Sequence, residues 1–368
     1  MKTKAAILWG HHQKWEVEEV DLDGPKSGEV MVQLVASGLC HSDHHLVTGD
    51  IPRPLPVVGG HEGSGIVVEV GAGVSGVAVG DTVVLSFLPA CGHCRPCARG
   101  MSNLCELGAL LMLGPQIDGT YRVHARGHGI GQNCVLGTFA EYTTVPAASV
   151  VKIDAGNDLD KAALIGCGVT TGLGSAVRTG EVRAGDTVVV MGVGGIGMNA
   201  VQGAHIAGAR YVVAVDPVAF KREQAPTFGA THTVGSVEEA LGLVTDLTLG
   251  RMADVCVITV DVSDGGHVGQ ALSLVGKRGR VVLTAVPNPA TQTADVVLAD
   301  LLFFEKQVRG SLFGSSNPHD DIPQLFALYK SGRLKLDELV TREYTLEEVN
   351  QGYTDLFNGI NLRGVIRF

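Results

Sequence analysis

Four cysteines, Cys91, Cys94, Cys97 and Cys105, follow one another at C-x2-C-x2-C-x7-C spacing. Gly92, Pro96 and Gly100 lie between them and supply the tight turns that bend four thiolates onto one tetrahedral point. Four sulfur ligands close the coordination sphere, so a zinc ion there fastens a loop and leaves the chemistry to another place. Disulfides are the first rival reading, but Cys91 to Cys94 and Cys94 to Cys97 are too close for unstrained bridges. An iron–sulfur cluster is the second, because such a thiolate set also suits one. A further set is scattered: Cys40-His41-Ser42-Asp43, Gly60-His61-Glu62-Gly63 and Gly166-Cys167-Gly168. Taken singly, each cysteine or histidine reads as an ordinary buried side chain. Taken together, Cys40, His61 and Cys167 offer two sulfurs and one imidazole and leave a fourth position open, as a catalytic zinc requires. Asp43 and Glu62 adjoin these ligands, and Asp43 is expected to accept the free ring N–H of His61, fixing its tautomer.

A different chemistry is written at Gly192-Val193-Gly194-Gly195-Ile196-Gly197, a G-x-G-x-x-G run between a strand-like and a helix-like segment. Gly192 suits the tight turn, Gly194 lets the backbone approach a pyrophosphate, and Gly197 allows close packing of helix on strand. The helix N-terminus, starting near Gly195 and Ile196, adds partial positive charge. Asp216 ends the next strand-like segment, where a carboxylate accepts both ribose hydroxyls and repels a 2′-phosphate, so NAD is expected over NADP. Lys221 is within reach of the same ribose, although a solvated lysine is nearly as good a reading.

The elements that must carry these groups show two rhythms. Up to about residue 150, short valine-rich runs such as Val30–Val35, Gly65–Val70 and Asp81–Leu85 alternate with glycine turns, a β-rich pattern. Beyond 170, strand-like Thr187–Met191, Tyr211–Val215, Ala253–Ile258 and Arg280–Thr284 alternate with helix-length segments, the pattern of a doubly wound parallel sheet. After roughly 312 the chain reads helical and closes on a strand, Gly364–Phe368, suited to packing back onto the first domain. The chain of 368 residues is 45% hydrophobic and only 5% aromatic with 50 glycines, which favours two domains of short strands and turns over a helical bundle. A net charge of −10 without any basic run argues against nucleic-acid and anionic-membrane partners. No apolar leader or 18-residue apolar span is read, so a cytoplasmic setting with reduced thiols is expected.

With these motifs in this order, the chain resembles the zinc-dependent medium-chain alcohol dehydrogenases over essentially its whole length, and within them the bacterial nicotinoproteins assayed with a nitroso dye acceptor. The resemblance implies an α/β fold, with a GroES-like β-rich catalytic domain at 1–168 and 312–368, carrying the zinc lobe at 91–105, and a Rossmann NAD domain at 169–311. It implies a catalytic zinc on Cys40, His61 and Cys167, Glu62 standing behind it as an alternative ligand, and a structural zinc on the four clustered cysteines. Ser42 and His45 match a proton relay, Thr171 a nicotinamide contact and Arg363 a pyrophosphate contact. At His41 some relatives carry an arginine, so a permanent cation facing the pyrophosphate is missing. No arginine closely follows Cys105, which disfavours a glutathione adduct as substrate. The segment Leu107–Leu136, with Asp118-Gly119-Thr120, resembles the long loop of dimeric members, so a homodimer is expected ahead of a tetramer. The activity implied is interconversion of a primary alcohol and its aldehyde by hydride transfer with NAD. The alternatives are a nicotinoprotein whose NAD stays bound while electrons pass to another acceptor and, from another class, a zinc-free quinone reductase or non-enzymatic scaffold.

Overall fold

The computed structural model describes residues 1–50, 53–154, 156, 158–287 and 290–368, and divides into two compact units: Met1–Cys167 with Asn317–Phe368, and Gly168–Ser316.

The first unit is built from β-strands. Lys2–Leu8, Glu16–Leu22, Val123–Ala125, His128–Gln132 and Val57–Val58 close into a small barrel. Beside it runs a sheet in the order Val150–Lys152, Thr82–Leu85, Gly63–Val70, Glu29–Leu39, Arg363–Arg367 and Val340–Tyr344, with Tyr142–Pro146 also paired to Glu29–Leu39. Val30, Val32, Leu34, Val67, Val83, Leu85 and Val145 fill one core of this unit, each burial stabilising by about 1.5–3 kcal/mol. The strand Glu29–Leu39 shifts register twice against Gly63–Val70, and such bulges re-aim a strand near a site. It runs directly into Cys40 and the helix His41–Thr48.

The C-terminal segment differs from the helical reading in one respect. Between helices Pro318–Lys330 and Val349–Phe357 lies a strand, Val340–Tyr344, parallel to the closing strand Arg363–Arg367. Its sequence, Val-Thr-Arg-Glu-Tyr, faces mostly outward, so no apolar alternation marks it. Thr345 and Glu348 then form a capping box that starts the next helical turn. The closing strand pairs antiparallel with Glu29–Leu39, placing Gly364 opposite Leu39.

The second unit holds a parallel sheet in the order His232–Val234, Tyr211–Val215, Thr187–Met191, Ala253–Ile258, Val275–Leu283 and Gln307–Gly310. Numbered along the chain this is 3-2-1-4-5-6, the order of dinucleotide-binding sheets. Thr187–Met191 is buried along its whole length, as expected where helices cover both faces. Val189, Val213, Cys256, Val281 and Leu272 belong to its core. The glycine run leaves the central strand Thr187–Met191, where the winding reverses direction. No described helix is long and apolar enough to cross a membrane.

Candidate active site

The four clustered cysteines lie on one loop of the first unit. Gly92 and Gly100 take φ of 80° and 77°, the left-handed turns that side chains resist. Between them Cys94 precedes a short helical turn, Arg95–Ala98, begun by Pro96. The ligand atoms of all four residues lie within 4.8 Å of one another. Sγ of Cys91 is 4.0 Å from that of Cys97, and Sγ of Cys94 is 3.8 Å from that of Cys105. Sulfurs bound to one tetrahedral zinc at about 2.3 Å are separated by about 3.8 Å, whereas a disulfide needs about 2.05 Å. The spacing fits a single ion, and all eight cysteines are unbridged. Backbone N–H groups of Cys91 and Cys94 point at Cys105 Sγ (3.4 Å) and Cys91 Sγ (3.3 Å), while burial pushes the Cys105 thiol up to about 12.

The scattered set also converges. Cys40 follows the long strand, His61 and Glu62 sit on the turn between Val57–Val58 and Gly63–Val70, and Cys167 ends a 3-10 turn at Ala163–Gly166. Their ligand atoms fall within 4.8 Å of one another, and all four residues are buried. The small neighbours are needed for this approach. A Cβ on Gly38 would stand 2.1 Å from Glu62 Oε2, and one on Gly166 2.3 Å from the Leu85 carbonyl oxygen. Two thiols, an imidazole and a carboxylate, otherwise enclosed by residues such as Phe87 and Leu164, form a donor set suited to zinc.

Electrostatics inside the cluster are asymmetric. The Cys40 thiol is held well below its ordinary range, first by a hydrogen bond from Cys167 and then, against burial, by His61 and Arg363. Cys167 is pushed up as the donor of that bond and by burial. Burial disfavours charge on His61, yet Asp43 and Cys40 outweigh it and raise its pKa. The pair of thiols thus shares a proton that a dication would displace. Arg363, 3% exposed, pairs with Glu62 and so offsets one carboxylate beside the sulfurs. The Arg363 guanidinium is therefore engaged by Glu62, a partner its sequence position does not announce.

Asp43 is fully buried, and its Oδ2 lies 3.0 Å from His61 Nδ1. The approach is off the line of a good hydrogen bond, and neither atom has another hydrogen-bond partner among the described residues. Ser42 Oγ accepts from the Cys40 thiol at 3.6 Å. The His45 ring stacks on that of His41, at 5.2 Å and 10° between planes. His45 is 3% exposed, and its Nδ1 lies 3.2 Å from Oδ2 of the exposed Asp50. Sequence reading also passed over Tyr353, whose buried hydroxyl donates to the Cys40 carbonyl at 3.1 Å, and Asn133, whose amide reaches Asp43. Neither carries a local motif.

In the second unit, Gly192 has φ 85° and a Cβ there would meet the Thr259 carbonyl oxygen at 2.8 Å. A Cβ on Gly197 would stand 1.9 Å from the Gly192 carbonyl oxygen, while one on Gly194 would meet nothing within 4 Å. That open side is the cradle a pyrophosphate needs. Gly195 and Ile196 open the helix Gly195–Ile206. Asp216 accepts the Val193 and Val218 N–H groups, each at 2.9 Å, and Lys221 Nζ stands 3.8 Å from its Oδ2. The Thr171 hydroxyl, on the helix Gly168–Gly174, is buried without a hydrogen-bond partner among the described residues, and an amide ligand would supply one.

Comparison with known proteins identifies two family domains in the chain. Residues 26–155 match the alcohol dehydrogenase GroES-like domain and residues 195–331 match the zinc-binding dehydrogenase domain. The chain is 54% identical over 366 residues to the putative alcohol dehydrogenase D of Mycobacterium tuberculosis, covering 100% of both. It is 53% identical over 366 residues to the NDMA-dependent alcohol dehydrogenase of Amycolatopsis methanolica, covering 100% of this chain and 99% of the other. The crystal structure of an alcohol dehydrogenase zinc-binding domain protein from Burkholderia ambifaria superposes with a TM-score of 0.94 at 33% identity, over 100% and 99% of the two chains. The chain belongs to the zinc-dependent medium-chain alcohol dehydrogenase family, and is an oxidoreductase acting on alcohols.

Proposed function

We propose that the protein interconverts a primary alcohol and its aldehyde, with zinc on Cys40, His61 and Cys167, a second zinc on Cys91, Cys94, Cys97 and Cys105, and NAD on the Gly192–Gly197 loop. The observation that carries this reading is the buried convergence of two thiols and an imidazole, backed by Glu62 and Arg363. When bound, the zinc supplies Lewis acidity toward the alcohol oxygen and the nicotinamide accepts the hydride. The chain's own groups do the rest. Asp43 orients His61, Arg363 neutralises Glu62 so that the two thiolates face the dication, and Ser42 takes the hydroxyl proton. His45 receives that proton and hands it to solvent by way of Asp50. Asp216 selects NAD through the ribose hydroxyls, with Lys221 beside it, and Thr171 holds the carboxamide. His41 would help to bind the cofactor phosphates.

A second reading, a nicotinoprotein that keeps its NAD and passes electrons to another acceptor, is favoured by the 53% identity to the NDMA-dependent enzyme. One experiment separates the two. Gel-filtered protein is assayed for zinc, for retained nicotinamide, and for turnover of a graded series of primary alcohols with free NAD or with a dye acceptor. Two zincs per chain and loss of turnover in His61→Ala support the zinc mechanism; full alcohol oxidation by that variant excludes it. Retained cofactor with dye-dependent turnover selects the nicotinoprotein. We assign the protein to the cytoplasm, where reducing conditions keep both cysteine sets available. We also read it as a homodimer. Support comes from Leu298, Leu302, Phe303 and Val308, all exposed, beside the edge strand Gln307–Gly310.

A further inference from the structure

Asp43 accepts hydrogen bonds from two groups and faces a third. Its Oδ1 takes the Gly60 N–H at 2.9 Å and the Asn133 Nδ2 at 2.6 Å, leaving Oδ2 for the His61 ring. A carboxylate can only accept here, so the amide atom facing it is the nitrogen. The Asn133 Oδ1 in turn takes the Cys134 thiol at 3.5 Å, consistent with that orientation.

The backbone that presents Asn133 is unusual. Cys134 and Val135 take φ of 54° and 55°, two successive non-glycine residues in the left-handed region, the second of them β-branched. Such a conformation is unfavourable and persists only where the surroundings over-determine it. They do so here. The Asn133 carbonyl accepts the Leu136 and Gly137 N–H groups at 3.0 and 3.1 Å. Two buried glutamines brace the turn from below: Gln116 Nε2 donates to the Val135 carbonyl at 2.9 Å and to Gln132 Oε1 at 2.9 Å, and Gln132 Nε2 donates to the Leu136 carbonyl at 3.1 Å. The turn aims a 2%-exposed amide at the carboxylate that lies 3.0 Å from His61 Nδ1.

We propose that Asn133 is a positioning residue for the catalytic metal: its amide clamps Asp43, Asp43 sets the orientation of His61, and the left-handed turn at Cys134 and Val135 exists to hold that amide in place. The inference rests on Cys40, His61 and Cys167 binding zinc. It concerns an outer contact one residue beyond the direct partner of a ligand.

The test uses the holoenzyme and two variants, Asn133→Ala and the near-isosteric Asn133→Leu, which keeps the volume but removes the donor. Zinc release to a chelator is followed for both ions, the four-cysteine ion serving as an internal control for folding. Visible spectra are recorded after cobalt replaces the ion on Cys40, His61 and Cys167. Direct partners of metal ligands typically change affinity 10–100-fold, so about tenfold faster release is expected here from that one site, with unaltered release from the cysteine lobe and a changed cobalt spectrum. Wild-type release and spectrum in both variants would overturn the proposal. So would equal acceleration at both sites with a lowered melting temperature, since the turn would then hold only the fold. A wild-type protein with zinc in the lobe alone would instead refute the site assignment, whatever the variants do.

Discussion

Two alanine substitutions in the same six-residue run should have opposite consequences. In Gly197→Ala the new Cβ lies 1.9 Å from the Gly192 carbonyl oxygen and 2.9 Å from Thr259 Oγ1. The first obstacle is backbone, so no rotamer change removes the clash and the helix must retreat from the strand. Overpacking of this kind costs about 1–3 kcal/mol, and the upper end applies because the loop itself is in the way. At about 2–4 °C per kcal/mol for a unit of this size, the melting temperature should fall by about 6–12 °C. In Gly194→Ala the Cβ meets nothing within 4 Å, and the residue's φ of −76° is open to alanine. Alanine loses the N-cap preference of glycine but restricts the unfolded chain, two effects of up to about 1 kcal/mol and opposite sign. Stability should therefore barely change. Dinucleotide affinity should drop by tenfold or more, because the added methyl occupies the side a pyrophosphate must approach. Thermal unfolding of cofactor-free protein and fluorescence titration with NADH measure the two effects. Gly194→Ala binding NADH like the wild type would refute the assignment of that open face to the cofactor.

Three further outcomes are expected. Cys97→Ala should lower the zinc content by one per chain and reduce thermal stability and oligomer integrity, since structural zinc contributes about 10–16 kcal/mol in small peptide sites; unchanged melting and elution would contradict a structural ion. Ser42→Ala should keep both zincs while alcohol turnover falls about 10²–10⁴-fold, and an undiminished rate would remove Ser42 from the proton path. Partial burial pushes the Asp118 carboxyl up, but the Thr120 N–H, Arg122 and Lys26 outweigh it and hold it well below the usual range. Its stabilisation is present above the unfolded value near pH 3.9 and is lost as pH falls further. Asp118 is 39% exposed, so Asp118→Asn should cost only about 1 kcal/mol at pH 7. In urea unfolding the gap from wild type should shrink below about pH 4, and a gap constant with pH would exclude the ion pairs as its source.

Much of the fold and the ligand sets was legible because the chemistry is local. The lobe cysteines sit on one loop, and the glycine run announces its strand, turn and helix together. Cys40, His61 and Cys167 were readable as a set because a glycine lies within two residues of each, at Gly38, Gly60 and Gly166. What escaped the sequence is held by contacts between distant segments. Asn133 meets Asp43 across 90 positions, and Arg363 meets Glu62 across 301. Neither has a periodic or motif signal. The strand Val340–Tyr344 was missed because its outward face is charged. The burial of His45 depends on rings that only the folded helix His41–Thr48 brings together.

The closing strand has a consequence for biosynthesis. Gly168–Ser316 is contiguous and can complete its sheet while the remainder is still being translated. The other unit is split: its strand Glu29–Leu39 pairs with Gly63–Val70 and Tyr142–Pro146 from the first part of the chain, but with Arg363–Arg367 only once that later strand is made. Until then Glu62 lacks its arginine, and the thiols of Cys40 and Cys167 await their countercharge. Loading of that site should thus wait for the strand Arg363–Arg367, and removal of that strand should spare the dinucleotide fold while disarming the metal centre.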